Sequence, residues 1–194
     1  MRATDTGTGP VRRMHRAERR AQILEAATRA FARTGFAHTS LDDIAAEAGI
    51  TRVLLYRHFD SKADLYRAAL DRICTRLAET VHTDELDSES LPALVHAAAA
   101  DPDGFRLLFR HAAREPEFRE FTDALTARST EIARRGLARD VPPGPWLEWA
   151  AGIVPTFTIE AVISWLDAGA PDPDLAAARI GTAIDGIVRA AHSG

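Results

Sequence analysis

The chain has 194 residues, 46% of them hydrophobic and 27% charged, with a net charge of -4. That composition excludes a disordered chain and suits one compact domain, or a small head joined to a larger body. One cysteine, Cys74, excludes an internal disulfide and fits a reducing cytoplasm, where a buried small apolar role is expected of it rather than redox sensing. The apolar runs are short and broken by charge, and none follows the basic N-terminus. Neither a membrane span nor a secretory signal is therefore expected.

The net charge hides an asymmetry. Residues Met1 to Asp64 hold eleven Arg or Lys against eight Asp or Glu, whereas the remainder holds thirteen against twenty. A basic head on an acidic body suggests that the head alone meets a polyanion.

Residues 1–15 are polar, rich in Gly and Thr and then in Arg, and read as a flexible basic arm. Its arginines, with Arg16, Arg19 and Arg20, suit either a minor-groove contact or a solubilising tail. A first helix is expected from Arg16 to Thr34, because Ile23, Ala26, Ala27, Ala30 and Phe31 share one face. Gly35 stops it. Ser40 and Asp43 fit a capping box for a second helix that ends at Gly49. Thr51 suits the N-cap of a short third helix, Arg52 to about Phe59. Ser61 and Asp64 suggest another capping box, opening a fourth helix through Val81.

Beyond Val81 the pattern is of long helices. They are expected over Leu91 to Ala100, Phe105 to Arg114, Pro116 to Arg139, Trp146 to Ala168 and Asp174 to Ala191. Prolines 142, 143, 145, 171 and 173 mark the breaks, and Pro155 should kink the helix that contains it. No strand-like alternation or internal repeat is visible. The expected class is all-α, about nine helices in total: an N-terminal three-helix helix-turn-helix domain plus a C-terminal helical bundle. The expected division is an arm at 1–15, a helix-turn-helix DNA-binding domain at 16–62 and a ligand-binding and dimerisation domain at 63–194.

The stretch from Ala48 to Leu65, AGITRVLLYRHFDSKADL, carries the functional signal. A helix, a tight turn and a short second helix are how a helix-turn-helix presents side chains to a major groove. Thr51 offers a hydroxyl and a helix N-terminus to a phosphate. Arg52 and Arg57 suit phosphate or a guanine edge. Tyr56 and His58 add a phenol and an imidazole. Lys62, the only lysine in the chain, lies in the first turn of a helix, where a cation opposes the dipole. A bound phosphate there would give the placement a reason.

This region resembles the TetR family of bacterial transcriptional repressors. The residues that carry the likeness are Ile23, Ala26, Ala27, Phe31, Gly35, Phe36, Thr39, Ser40, Ile44, Ala45, Ala48, Gly49, Tyr56, His58, Phe59, Ser61, Lys62 and Leu65, over roughly Arg20 to Leu70. The resemblance implies phosphate contacts from Thr39, Thr51, Tyr56, His58 and Lys62. One departure stands out: the family usually has Gly where this chain has Val53, and often a small polar residue in place of Leu54. Val53 and Leu54 are then candidates for apolar contact with thymine methyl groups, worth about 1–3 kcal/mol of discrimination, or Leu54 simply packs on neighbouring helices.

In the body, Ile180, Gly181, Ile184, Ile187 and Val188 with Ala177 line one side of the last helix, and Ile159, Val162, Ile163 and Leu166 line the helix before it. Such faces either complete the chain's own core or form a four-helix homodimer interface, and the resemblance implies the homodimer. Phe105, Phe109, Phe121, Trp149, Ile153, Phe157 and Glu160 are candidates for an apolar ligand cavity, or for core. The expected partners are a double-stranded DNA operator, a small-molecule ligand and a second copy, with no membrane.

No His-x-x-x-His pair, Gly-rich phosphate loop or nucleophile elbow is present, so no metal, cofactor or catalytic residue is expected. The expected function is a ligand-responsive, sequence-specific transcriptional regulator, a repressor released from a palindromic operator by a small apolar or amphipathic molecule. The alternative is a helical adaptor, or a non-specific DNA-binding protein, that keeps the fold without an inducer.

Overall fold

The computed structural model describes residues 16–81 and 89–192. Nine α-helices follow one another among these residues, and no strand occurs among them: α1 (Arg16–His38), α2 (Leu41–Glu47), α3 (Arg52–Tyr56), α4 (Lys62–Val81), α5 (Ser90–Ala100), α6 (Pro102–Arg106), α7 (Arg119–Leu137), α8 (Pro145–Asp167) and α9 (Pro173–His192). The all-α expectation holds. The arm at 1–15 lies outside the described residues.

Local chemistry sets the boundaries. Helical geometry in α1 stops at Gly35, which adopts φ 77° and ψ 169°, a region that L-residues avoid. Thr39 then closes the turn into α2 by donating its hydroxyl to the Gly35 carbonyl at 2.7 Å. At α2 the Ser40 hydroxyl accepts from the Asp43 N–H, and the Asp43 carboxylate accepts from the Ser40 N–H, the expected capping box. The helix ends in a Schellman motif: Ile50 N–H donates to Ala45, Gly49 N–H donates to Ala46, and Gly49 sits at φ 63°. Thr51 caps α3 by accepting from the Leu54 N–H.

The start of α4 departs from expectation. Ser61 does accept from the Asp64 N–H, but the Asp64 carboxylate accepts from Asp60 N–H rather than closing a box on Ser61. The segment expected as one helix from Phe105 to Arg114 is instead α6, a π-helical turn at Leu107–His111 and a 3-10 turn at Ala112–Arg114. The π turn admits an extra residue, burying Leu107 and Leu108 while Phe109 is half-buried beside them. A further 3-10 turn at Pro116–Phe118 leads into α7. The α8 helix continues through Pro155 without interruption.

Three apolar clusters hold the fold. The largest joins α1–α4 to the segment after α6 through Ile23, Phe31, Ile44, Leu55, Phe59, Tyr66, Leu107, Leu108 and Phe118. Each fully buried Leu, Ile or Phe contributes about 1.5–3 kcal/mol. Head and body therefore share one core, with α4 as the common wall. The second cluster packs α5, α8 and α9 around Val95, Phe105, Val162, Ile163, Leu166, Ala177 and Ile180. The third joins the end of α7 to α8 and α9 through Ala133, Leu137, Val141, Leu147 and Ala191. Among the described residues α8 alone has the length and hydropathy to cross a membrane, and here one side of it packs into these two clusters.

That packing corrects the expected dimer face. Val162, Ile163, Leu166, Ala177 and Ile180 are buried within the chain's own core. Gly181 faces Leu91, whose Cδ2 lies 3.5 Å from where a Cβ would stand. Ile159 lines a cleft, and Ile184, Ile187 and Val188 pack half-buried on the third cluster. The five buried residues belong to the chain's own core, where Val95 and Ala98 of α5 join them.

Candidate nucleic-acid interface and ligand cleft

The side chains of α3 divide by helical period. Leu55 turns inward with Phe59 beyond the helix end, while Thr51, Arg52, Val53, Tyr56 and Arg57 are exposed. Val53 is 74% exposed, the most exposed large apolar side chain among the described residues. A side chain so exposed gains little from burial in the fold. Leu54 is half-buried.

Arg52 is braced from two sides. It donates to Asp42 at 2.8 Å and to the Tyr56 hydroxyl at 3.2 Å, and its guanidinium lies 5.5 Å from the Tyr56 ring centre. Hydrogen bonding to Tyr56 and the Asp42 charge raise its pKa further above its already high value. The Tyr56–Arg52 pair thus presents a guanidinium and a phenol together at the outer end of α3. His58 is half-buried, and burial first, then the charges of Arg16, Arg57, Arg20 and Arg19, hold its pKa below the ordinary 6.5. The same four arginines make this corner the basic end of the head. Sequence reading placed Arg16, Arg19 and Arg20 with the arm, but α1 brings them to His58. Their spacing on the first turn of α1 held that signal.

Two residues expected to meet phosphate point elsewhere. Thr39 is buried, its hydroxyl shared with Thr34, Gly35 and Ala30. The Lys62 ammonium donates to the carbonyls of Phe36 at 2.8 Å, Thr39 at 3.2 Å and Ala37 at 3.5 Å. Its position at the α4 N-terminus is unfavourable for the α4 dipole, but its stem carries the charge to the carbonyl end of α1, where a cation is stabilising. The bound anion inferred from the sequence is thus replaced by the chain's own carbonyl oxygens.

Behind the head lies a cleft bounded by α4, α5, α7, α8 and the π turn. One lobe, about 220 Å³, is lined chiefly by apolar groups, among them Cys74, Leu77, Ala78, Leu94, Leu108, Phe109, Ile132, Val154 and Ile159. Burial pushes the Cys74 thiol up to about 11, so it stays protonated. An adjoining lobe of about 180 Å³ adds Thr122, Thr126, Thr130, Thr156 and Glu160. Of the expected ligand residues, the cleft gathers Phe109 and Glu160. Phe105 is core and faces a separate hollow beside Arg76, and Phe121 packs against the head's cluster. Trp149 and Ile153 are exposed on the outer side of α8, and Phe157 is half-buried against the second cluster. The α4 contributors were missed because an amphipathic helix gives no sign in its sequence that its buried face borders a cavity. No cluster of metal-ligating side chains occurs among the described residues.

On the outside of α8, Trp146, Trp149, Ile153 and Phe157 follow at helical spacing. Trp146 is 54% exposed, and its ring meets Trp149 edge-on at 5.9 Å. Exposed small residues of α9, including Ala178, Thr182 and Ala183, lie on the neighbouring helix. Trp146, Trp149 and Ile153 thus leave aromatic and apolar surface exposed along one side of α8.

Comparison with known proteins adds relatives to this geometry. Residues 23–69 match the family described as bacterial regulatory proteins, tetR family. The chain is similar to the HTH-type transcriptional repressor SCO4008 of Streptomyces coelicolor, 31% identical over 155 residues that cover 75% of this chain and 77% of that protein. It is 31% identical to the HTH-type transcriptional activator FasR of Mycolicibacterium smegmatis over 66% of this chain, and the match spans 63% of FasR. It is 55% identical to the HTH-type transcriptional regulator TtgR of Pseudomonas putida over 56 residues, 29% of this chain and 27% of that protein. In fold it is similar to a TetR-like transcriptional regulator from Rhodococcus sp. RHA1, with TM-score 0.78, 23% identity and coverage of 94% of this chain and 100% of the other. NalD of Pseudomonas aeruginosa, a secondary repressor of the MexAB-OprM multidrug efflux pump, superposes with TM-score 0.66 at 24% identity over 87% of this chain and 95% of NalD.

Proposed function

The chain belongs to the TetR family of bacterial helix-turn-helix transcriptional regulators, and from that premise we propose that it is a ligand-responsive repressor that binds a palindromic operator as a homodimer. The observation that carries the DNA-binding reading is the outward face of α3, where Thr51, Arg52, Val53, Tyr56 and Arg57 stand exposed beside a basic corner. In this reading residues 16–62 are the DNA-binding head and residues 63–194 the ligand-binding and dimerisation body. Thr51, Tyr56, Arg57 and His58 hold phosphates, and Arg52, Val53 and Leu54 face base edges. Lys62 and Thr39 serve by fixing the junction of α1, α2 and α4.

The exposed stripe Trp146, Trp149 and Ile153, with half-buried Phe157 at its end and the small residues of α9, is the homodimer face. It supports pairing because burying several aromatic side chains against a second copy removes them from water without disturbing either core. The two heads then meet successive major grooves about 34–36 Å apart, or at a multiple of that turn.

The cleft is the inducer site, and α4 couples it to the head. The helix's C-terminal part lines the cleft with Cys74, Leu77 and Ala78, while residues 62–72 anchor the head through Lys62, through Tyr66 and through Arg72, which donates to the Ala21 carbonyl and to Glu25. A 20-residue helix is rigid over about 30 Å, so a ligand that displaces one half moves the other. The coupling is a shift between dimers whose heads match the operator spacing and dimers whose heads do not.

Selection of bound fragments from a random duplex library tests the reading. Recovery of an inverted repeat with half-sites one or two helical turns apart is expected. Recovery of unrelated sequences would leave a protein with the fold but without operator specificity.

A further inference from the structure

The two lobes of the cleft meet between α7 and α8 and share Leu108, Phe109, Leu125, Ser129, Pro155 and Ile159. Their polar chemistry is unequal. In the smaller lobe the hydroxyls of Thr122, Thr126, Ser129 and Thr156 all donate backward into their own helices, to the carbonyls of Arg119, Thr122, Leu125 and Gly152 at 2.9 to 3.0 Å. A hydroxyl has one proton and two lone pairs. With the proton committed to the backbone, what each presents to the cleft is an acceptor. Thr130 alone of the lobe's hydroxyls has no such backbone bond among the described residues. The Glu160 carboxylate adds a further acceptor. Pro155, at the waist between the lobes, has no N–H to give the Ala151 carbonyl, so the helix ladder is one donor short beside the cleft. The larger lobe repeats the pattern weakly: Thr158 donates to the Val154 carbonyl at 2.7 Å, and the Cys74 thiol is neutral. Arg128, exposed, is the one charged side chain there among the described residues.

We infer that the cleft takes an apolar molecule bearing a protonated amine, with its apolar body in the larger lobe and its N–H donors on Glu160 and the acceptor hydroxyls of the smaller one. The inference rests on the reading of this cleft as the inducer site. A lobe in which four of five hydroxyls present lone pairs beside the Glu160 carboxylate rewards a donor and disfavours a carboxylate, which would meet those lone pairs and a like charge. A quaternary ammonium would bring charge without donors and satisfy only Glu160.

Calorimetric titration of the full chain with three probes that share one tail tests this: decylammonium, decyltrimethylammonium and decanoate, at neutral pH. Decylammonium is expected to bind about tenfold or more tightly than either of the others, and Glu160→Gln to weaken it about tenfold, the scale of one charge-assisted hydrogen bond. Decanoate binding as tightly as decylammonium, or decyltrimethylammonium matching it, overturns the donor inference and leaves the cleft a ligand site. Heat from none of the three probes, with the protein still folded and binding DNA, overturns both the inference and the inducer-site reading beneath it.

Discussion

The Lys62 ammonium donates to the Phe36 carbonyl across 2.8 Å and lies 4.5 Å from the centre of the Phe36 ring. The only lysine of the chain thus ties the first turn of α4 to the end of α1, where head and body meet.

A structural and a phosphate-binding lysine give different signatures. Lys62→Ala should lower stability by about 1–3 kcal/mol, since three carbonyls lose their donor. The slope of DNA affinity against salt should stay unchanged. Thermal melts and a salt series on the same variant check this. A slope reduced by about one with an unchanged melting temperature would instead place a phosphate on Lys62.

Tyr66 is fully buried among Phe31, Phe36 and Phe118, and its hydroxyl has no partner among the described residues. Burial and the nearby Glu115 charge push its pKa above the tyrosine range. Removing an unsatisfied hydroxyl costs nothing in packing, so Tyr66→Phe should stabilise the protein by about 1 kcal/mol. A fall in melting temperature of similar size would reveal a partner for the hydroxyl.

Two histidines make stability depend on pH. His58 is depressed by burial and then by arginine charges, and His111 by burial and then by Arg114 and Arg110. A depressed histidine binds its proton less readily folded than unfolded, so the unfolded chain gains protons first as pH falls. Their contribution is therefore complete above the ordinary value of 6.5 and is lost as pH drops through the depressed values. Melting temperature should decline between pH 7 and 5, and His111→Asn should make the decline shallower. An identical decline in the variant would remove His111 from the account.

Trp149 and Ile180 separate the proposed interface from the core. Trp149→Glu should turn dimers into folded monomers in sedimentation experiments, because a charge enters the pairing face. Ile180→Ala should instead cost about 2–4 kcal/mol of stability by leaving a cavity. A Trp149→Glu protein that still sediments as a dimer would move the interface elsewhere.

Local chemistry made most of the head legible. Ser40, Gly49 and Thr51 act through backbone bonds to residues within five positions, and such signals are written in short stretches of sequence. The inward set Ile23, Ala26, Ala27, Ala30 and Phe31 followed from helical period alone, and all five are buried. What escaped depends on which helix meets which. Ile180 and Trp149 both read as apolar on a helix, and only the placement of α5 decides that the first is core and the second exposed. Phe105 and Phe109 are four residues apart with ring centres 4.7 Å apart, yet Phe105 is buried in the core while Phe109 reaches the cleft. Lys62 was singled out correctly as unusual, but its partners lie 23 to 26 residues away, across a turn.

The most direct measurement is fluorescence anisotropy of the purified protein with the duplex immediately upstream of its own gene, at several salt concentrations and against a scrambled competitor. The α3 face predicts tight, competitor-resistant binding with a steep salt slope, weakened at least tenfold by Arg57→Ala. Binding no tighter than to the scrambled duplex, and unchanged in Arg57→Ala, would contradict it.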